Sequence, residues 1–317
     1  MAPRLTAAVL NYNGRELLEI ILPSLAAQSY DDFDVVVIDN GSTDSSCGYL
    51  AEHWPQVRAV GVGPRNIGVT AALNVCLQAS TSELVALLNN DLELHPDCLA
   101  ELVRALDEHP EAGSAAAKLM DFQDRDVLDG AGDIYLWSGE ANRRGQGDRD
   151  VGQYEQPQAI FGACGGAAAY RRSALEAVGE FDEQFFAIYE DVDWSFRAQL
   201  AGFSCRYVPT AIVYHMGSAT LGRGLSDFTL YHNWRNGIWV VFKNYPLSAL
   251  LRHGHQFVNS QLHNLVWAKQ TGRITVFLRV WRDALRGLPA VLRKRRAVQR
   301  SRTIGRAELE RLIGVGV

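Results

Sequence analysis

Two short polar runs, a hundred positions apart, hold the residues best suited to chemistry. The first is Asn89-Asn90-Asp91, which follows the apolar stretch 83–88. A carboxylate there can bind Mg2+ or Mn2+ through oxygen, and the cation can bridge phosphates. A polar turn into the next helix fits the same three residues. The second run is Glu190-Asp191-Val192-Asp193, where a helix is expected to start. The helix dipole alone favours acids at that place. An ionised Asp191 is also what a base needs to take a proton from an alcohol. Asp193 and Arg197 stand four apart and should pair on one face, which leaves Asp191 on another. His215 ends a later strand. As a neutral imidazole it would complete a cation site with Asp91, and otherwise it is a hydrogen-bonded structural residue.

Other polar residues fall at similar places. Asn11 ends the first apolar run, and Asp39, followed by Gly41, Ser42 and Asp44, ends the second. A carboxylate at a strand end can accept hydrogen bonds from a ribose, although Asp, Asn, Gly and Ser also favour ordinary turns. In Arg65-Asn66-Ile67-Gly68, Asn66 can cap a helix and Gly68 permits close approach of a ligand. Arg65 can face a diphosphate or lie on the surface. Phe185, Phe186 and Tyr189 either wall a sugar site or fill core.

The elements that position these residues follow from periodicity. Residues 5–10, 33–38, 57–62 and 83–88 read as strands, and 15–28, 67–79 and 96–109 as helices. Ser42 or Thr43 is expected to cap the helix after the second strand. Such alternation predicts an α/β fold with a largely parallel sheet, whose ligands sit beyond the carboxyl ends of its strands. Residues 121–158 read as an irregular insertion, a mobile loop over the site. Residues 159–170 form a small-residue strand region, 191–201 a helix, and 204–214 a strand broken by Pro209. Helices are expected at 226–244, 247–270, 273–287 and 288–300. The boundary near 220 divides a catalytic domain, 1–220, from a helical region, 221–317.

With 47% hydrophobic and 21% charged residues, the 317-residue chain has no composition of disorder. Its five cysteines form no C-x-x-C pair, which argues against a zinc or disulfide framework and fits a reducing compartment. The opening residues, Met-Ala-Pro-Arg-Leu-Thr, lack a signal-peptide core, and no apolar run reaches the roughly 18 residues of a membrane span. A cytoplasmic protein is expected. Residues 271–317 carry 12 Lys and Arg against 3 Asp and Glu, a net +9, which leaves −14 on residues 1–270. Arg279, Arg282, Arg286, Arg293, Lys294, Arg295, Arg296 and Arg300 alternate with Leu, Val and Trp281. This pattern suits either an anionic membrane surface, and so peripheral attachment at the inner face of the cell membrane, or a helix packed on protein. Nucleic acid is disfavoured, because the charge is confined to one tail without a reading motif.

In their order these segments resemble glycosyltransferase family 2 with its GT-A fold, and more narrowly the bacterial rhamnosyltransferase-like branch. The matching pieces are Val9 to Gly14, Val37 to Asp44, Arg65 to Gly68, Leu87 to Asp91, Gly179 to Phe186, Tyr189 to Trp194 and Pro209 to His215. The resemblance implies a GT-A domain, a Rossmann-like nucleotide-binding sheet flanked by helices, with a C-terminal helical extension. It implies an inverting, metal-dependent hexosyltransferase of polysaccharide and cell-envelope biosynthesis. Such an enzyme uses a dTDP- or UDP-sugar, with rhamnose as a candidate sugar, and a saccharide or lipid-linked acceptor. Asn11, Asp39 and Asn66 would bind the nucleoside, with Arg65, Gly68 and Asn90 beside them in the donor site. Asp91, with His215, would hold Mg2+ or Mn2+, and Asp191, with Glu190 beside it, would be the general base. Two positions depart from the pattern. Asn89 stands where the metal motif usually begins with an acid, and Ala71-Ala72 stands where relatives often carry glycines. A nucleotidyltransferase is the alternative enzyme, although residues 11–16 are a poor version of its Gly-rich basic loop. A catalytically inactive sugar-nucleotide-binding protein is favoured by Asn89 and opposed by Glu190-Asp191.

Overall fold

The uncharged run Leu5–Asn11 forms β1 and is buried along its whole length. In the computed structural model, which describes residues 2–217 and 226–313, β1 lies between two parallel neighbours, β2 (Phe33–Asp39) and β4 (Leu84–Asn89). β2 pairs in parallel with β3 (Arg58–Gly61). A strand buried on both faces needs helices on both, and the crossovers supply them: α1 (Arg15–Ala26), α2 (Ser46–His53), α3 (Val69–Gln78) and, after β4, α4 (Cys98–Glu108). Leu5, Ala7 and Val9 point to one face, where α1 brings Leu18, Ile21 and Leu22 and α4 brings Leu99 and Leu102. Ala8 and Leu10 point to the other, where α3 packs Leu73 and Leu77.

Register decides what stands at the strand ends. Asn11 lies opposite Asp39 on β2, and Leu10 lies opposite Asn89 on β4. The polar residues read separately along the chain therefore form one row.

Beyond β4 the sheet is mixed rather than largely parallel. β11 (Ala167–Arg171) enters between β4 and β6 (Ala112–Asp121), antiparallel to both. β12 (Ser204–His215) runs parallel to β6, and the edge carries β10 (Gln158–Ile160). β12 continues through Pro209 by shifting register between Val208 and Ile212, because a residue without an N–H cannot hold the ladder there. β5 (Leu92–Leu94) pairs antiparallel with the end of β12, so residues just after Asp91 run beside His215.

Residues 121–158 are not an irregular loop. They hold the ends of β6, β7 (Leu128–Gly130), β8 (Asp133–Tyr135) and β9 (Ala141–Arg143), and they bury Leu128, Ala131, Tyr135 and Trp137. Three-residue strands between glycines are too short for a period of two to be read. The helix after β2 starts at Ser46, behind Ser45, not at Ser42 or Thr43. Ser42 Oγ instead accepts from the N–H of Asn13.

The remaining helices are α5 (Arg172–Val178), α6 (Glu190–Leu200), α7 (Asp227–Asn244), α8 (Leu247–Gln270), α9 (Ile274–Arg300) and α10 (Arg306–Leu312). Residues 274–300 form one helix, not two, although Pro289 lies within it. Ala284, Val291 and Val298, each seven residues apart, stay buried along one face, so packing holds the helix through the lost hydrogen bond. A third core joins these helices to the rest. Trp239, Val240, Tyr245, Val280 and Val291 pack with Tyr135, Phe161, Phe185 and Phe196. Charge follows the same route. Fully buried Asp193 binds Arg197 (2.9 Å) on its own helix and Lys243 (2.8 Å) and Asn244 (3.0 Å) on α7. Lys243 also reaches Asp182 (2.7 Å), whose carboxyl is held down to about 2 by Lys243 and Lys294 in spite of burial. The expected boundary near 220 falls within 218–225, outside the described residues.

Candidate active site

At the carboxyl ends of the parallel strands the side chains satisfy one another. Asn11 is buried. Its Nδ2 donates to Asp39 Oδ2 (3.1 Å) and to Ser42 Oγ (3.3 Å), and its Oδ1 accepts from Asn90 (2.8 Å). Asp39 also accepts from the N–H of Ser42 (2.9 Å). Asn40 donates to Asn66 Oδ1 and to the carbonyl of Gly68, each at 3.2 Å, and accepts from the N–H of Ile67 (3.0 Å). Asn66 accepts from the N–H of Gly68 (2.8 Å), so it shapes the turn before α3 rather than capping the helix itself. Arg65 is exposed, and among the described residues it makes no ion pair. Gly68 is required where it stands. Its φ is +91°, and a Cβ would lie 2.6 Å from the ring of Phe186.

Asp91 lies beside this row, buried. His215 Nε2 is 3.4 Å from Asp91 Oδ2, and His215 Nδ1 is 2.6 Å from Asp129 Oδ2. Burial pulls the imidazole pKa down, but bonding to Asp129 and Asp91 outweighs it and lifts the value to about 9. Arg143 and Gln146 also hold Asp129. Asp91 Oδ1 is buried without a hydrogen-bond partner, which is costly unless something binds there. That oxygen and the Nε2 of a deprotonated His215 are two donors suited to a divalent cation that brings its other ligands from phosphate or water. Asp129 on Nδ1 would then fix the imidazole from behind. Among the described residues no group of three or more His, Cys, Asp or Glu is placed to hold a metal unaided.

The acidic helix start is built differently. Phe186, Ile188 and Tyr189 have positive φ (68°, 67° and 73°), and Tyr189, left-handed, is the residue from which α6 departs. Such angles cost about 1–3 kcal/mol each in residues other than glycine and persist only where surroundings impose them. Here α7 imposes them. The Nδ2 of fully buried Asn236 lies 3.2, 2.8 and 2.6 Å from the carbonyls of Phe185, Ala187 and Ile188. Arg235 donates to the carbonyl of Phe185 (2.9 Å) and, through Nε and Nη2, to Asn236 Oδ1, which orients the amide. The Tyr189 hydroxyl accepts from the N–H of Ala141 (3.0 Å) and donates to the carbonyl of Gly139 (3.3 Å).

This turn leaves Asp191 partly exposed. Its Oδ2 accepts from the N–H of Gly165 (2.8 Å) and its Oδ1 from that of Val192 (2.8 Å). The loop around Gly165 must come close, since a Cβ there would stand 3.0 Å from that of Asp191. The next residue, Gly166, accepts from the N–H of Asn89 (2.9 Å). Residues 165–166 thus join Asp191 to the strand end that carries Asp91. On the other side Arg143 faces Asp129, Asp133 and Asp191 together. Glu190 points inward. Burial and the neighbouring Asp191 push its carboxyl up to about 8, and its Oε2 has no partner. Asp133, buried and also facing Asp191, is likewise pushed up to about 8.

The fold therefore gathers Asn11, Asp39, Asn66, Gly68, Asn90, Asp91, His215, Glu190 and Asp191 at one end of the sheet, with Arg65 on its rim. Asp193 turns away into a structural ion cluster. Phe185 and Tyr189 are core, whereas Phe186 is 39% exposed and stacks on His232 of α7 at 5.7 Å. Asp129, Asp133 and Arg143 were hidden from sequence reasoning inside the apparent irregular insertion. Arg235 and Asn236 sat in a helix judged only by its apolar period, where the adjacent Arg-Asn pair was the sole signal.

A model described as glycosyl transferase family 2 matches residues 6–179. An N-acetylglucosaminyl-diphospho-decaprenol L-rhamnosyltransferase of Mycobacterium tuberculosis is 26% identical over 266 residues, 76% of this chain and 85% of that protein. An O-antigen biosynthesis protein of Myxococcus xanthus is 29% identical over 212 residues, 63% of this chain and 16% of that one. A mannosyltransferase of Pyrobaculum calidifontis, solved with GDP-Man and Mn2+, superposes with a TM-score of 0.57 at 19% identity, over 95% of this chain and 86% of its own. GalNAc-T7, solved with UDP, GalNAc and Mn2+, gives 0.61 at 16% identity, over 76% and 48%. The solved structures establish the likeness of fold, which is GT-A.

Proposed function

The chain belongs to glycosyl transferase family 2, in its rhamnosyltransferase-like branch, and we propose that it transfers a sugar with inversion from a dTDP- or UDP-linked donor. Rhamnose is the first candidate sugar, and the acceptor is a saccharide, free or carried on a lipid at the cytoplasmic face of a membrane. The observation that carries this reading is the bridge at residues 165–166, which sets Asp191 against the strand end bearing Asp91.

In the proposed reaction Asn11, Asp39, Asn66 and Asn90 bind the nucleoside and Gly68 leaves room for the diphosphate, with Arg65 closing over it. A hydroxyl of the acceptor attacks the anomeric carbon from the face opposite the nucleotide. Its O–H bond breaks as the new C–O bond forms, and Asp191 receives the proton. The bond from the anomeric carbon to the phosphate oxygen breaks in the same step, and the nucleoside diphosphate leaves with the electron pair. Mg2+ or Mn2+ held by Asp91 and His215 would neutralise charge on that diphosphate. Glu190, protonated near neutral pH, acts beside the base without competing for its proton. The Mn2+ in two solved relatives supports a divalent cation, as does the orphaned oxygen of Asp91.

The test is to follow free nucleoside diphosphate with dTDP- and UDP-sugars, Mn2+ and candidate acceptors, and to read the anomeric configuration of the product. Release that needs an acceptor, with inverted product, is expected. Pyrophosphate release would point to a nucleotidyltransferase. Donor binding without turnover on any acceptor would favour the inactive reading that Asn89 suggests.

A further inference from the structure

The C-terminal helices carry a surface that the transfer reaction does not use. α8 exposes Leu247, Leu251, Val258, Leu262 and Val266 at helical spacing along one face, with Leu251 80% and Leu262 55% exposed. α8 contains no Asp or Glu, and its only fixed charges are Arg252 and Lys269. α9 follows through residues 271–273 and exposes Leu278, Leu285 and Leu292, seven residues apart, among arginines. Its eight Lys and Arg stand against the single acid Asp283, which is bound by Arg282 and Tyr231. Arg279 and Arg286 share Asp283 with Arg282, and two more of the eight are engaged elsewhere. Lys294 binds Asp182 and Gln184, and Arg295 donates to the carbonyl of Phe242. Arg293, Arg296 and Arg300 have no ion pair among the described residues. Among those residues no helix is long and apolar enough to cross a membrane.

We propose that α8 and α9 lie on an anionic bilayer, with the uncharged stripe of α8 in the acyl boundary and the arginines of α9 at the headgroups. Exposed leucines beside free arginines have the composition of an interfacial helix. A second copy of the chain fits less well, because pairing this face with itself would oppose two sets of arginines. The far end of the stripe leads toward the site. Beyond Leu262 and Val266, a groove of about 240 Å3 lined by His263, Trp267, Trp234 and Leu230 runs between α8 and the first turns of α7. Those turns also carry Phe228, edge-on to Phe186, and His232, stacked on it, next to Gly68. Docking would thus bring the mouth of the cleft to the membrane, where a lipid-linked acceptor is held. This last consequence rests on the proposed transfer, whereas the docking itself does not.

The experiment is flotation of the full chain with vesicles of phosphatidylcholine, with and without phosphatidylglycerol. The parent should float with the anionic vesicles and be released by salt. Leu251→Glu with Leu262→Glu, both at exposed positions, should abolish flotation. Arg293→Ala with Arg296→Ala should weaken it about fivefold per residue, roughly 25-fold together. A chain that stays unbound at low salt, equal flotation of the leucine variant, or a dimer in sedimentation that this variant dissociates would each overturn the proposal. Transfer to a water-soluble acceptor should be equal in parent and leucine variant. Absence of transfer in both would sink the proposed reaction and leave the flotation result standing.

Discussion

The two halves of the cleft are built on opposite plans. At the strand ends, Asn11, Asp39, Asn40, Asn66 and Asn90 satisfy one another through contacts set by sheet register and by the turns leaving β1 and β2. At the helix start, three residues of positive φ precede a buried glutamate with one orphaned oxygen, and α7 holds them in place. The first half is held in shape by its own contacts. The second is held from outside, so its precision depends on packing. Damage to the first should therefore appear in donor affinity, and damage to the second in turnover.

The largest effect is expected from Asp191→Asn, which should lower turnover by roughly 10²–10⁴-fold with nucleotide affinity nearly unchanged. Initial rates and calorimetry measure the two, and a parallel fall in both would erase the division. Asn236→Ala takes their side-chain donor from the carbonyls of Ala187 and Ile188 and lets Asp191 drift. A displacement of about 1 Å can cost on the order of 10² in turnover, while donor KM should hardly move. Asn11→Ala should do the reverse, weakening nucleotide binding about tenfold, on the scale of one buried hydrogen-bonded group, with turnover at saturation retained.

The smallest effect is one of pH. The Glu190 carboxyl is pushed up to about 8 from an ordinary 4.5, so the folded chain keeps a proton that the unfolded chain loses. Its contribution to stability is complete below about 4.5 and is lost as pH rises through about 8. Glu190→Gln should melt higher than the parent above pH 8 and show no such gain near pH 4.5, as followed by thermal melts across that range.

How much of this could be read from the sequence differs between the halves in the same way. β1, β2 and β4 each hold an unbroken apolar stretch, 7–10, 35–38 and 84–88, and a polar residue follows it directly. Strand ends and candidate ligands were therefore legible together. Glu190 and Asp191 were legible as acids at a helix start, but the left-handed turn before them was not. Nothing local in Phe186, Ile188 or Tyr189 favours positive φ, and the cause lies in Asn236. Asp129, Asp133 and Arg143 escaped because strands of three residues carry no readable period. Pro289 misled in the opposite direction: an interior proline ends most helices, but the buried face through Ala284, Val291 and Val298 outweighed it.

The bonds from Asn236 to the carbonyls at 187 and 188 have a consequence for the way the molecule comes into being. Translation delivers the chain from its amino end, so every side chain proposed to touch the donor, and Asp191 itself, leaves the ribosome before Asn236 does. A nascent chain could thus hold nucleotide while still unable to act on it. Competence would arrive abruptly, with the emergence and docking of α7.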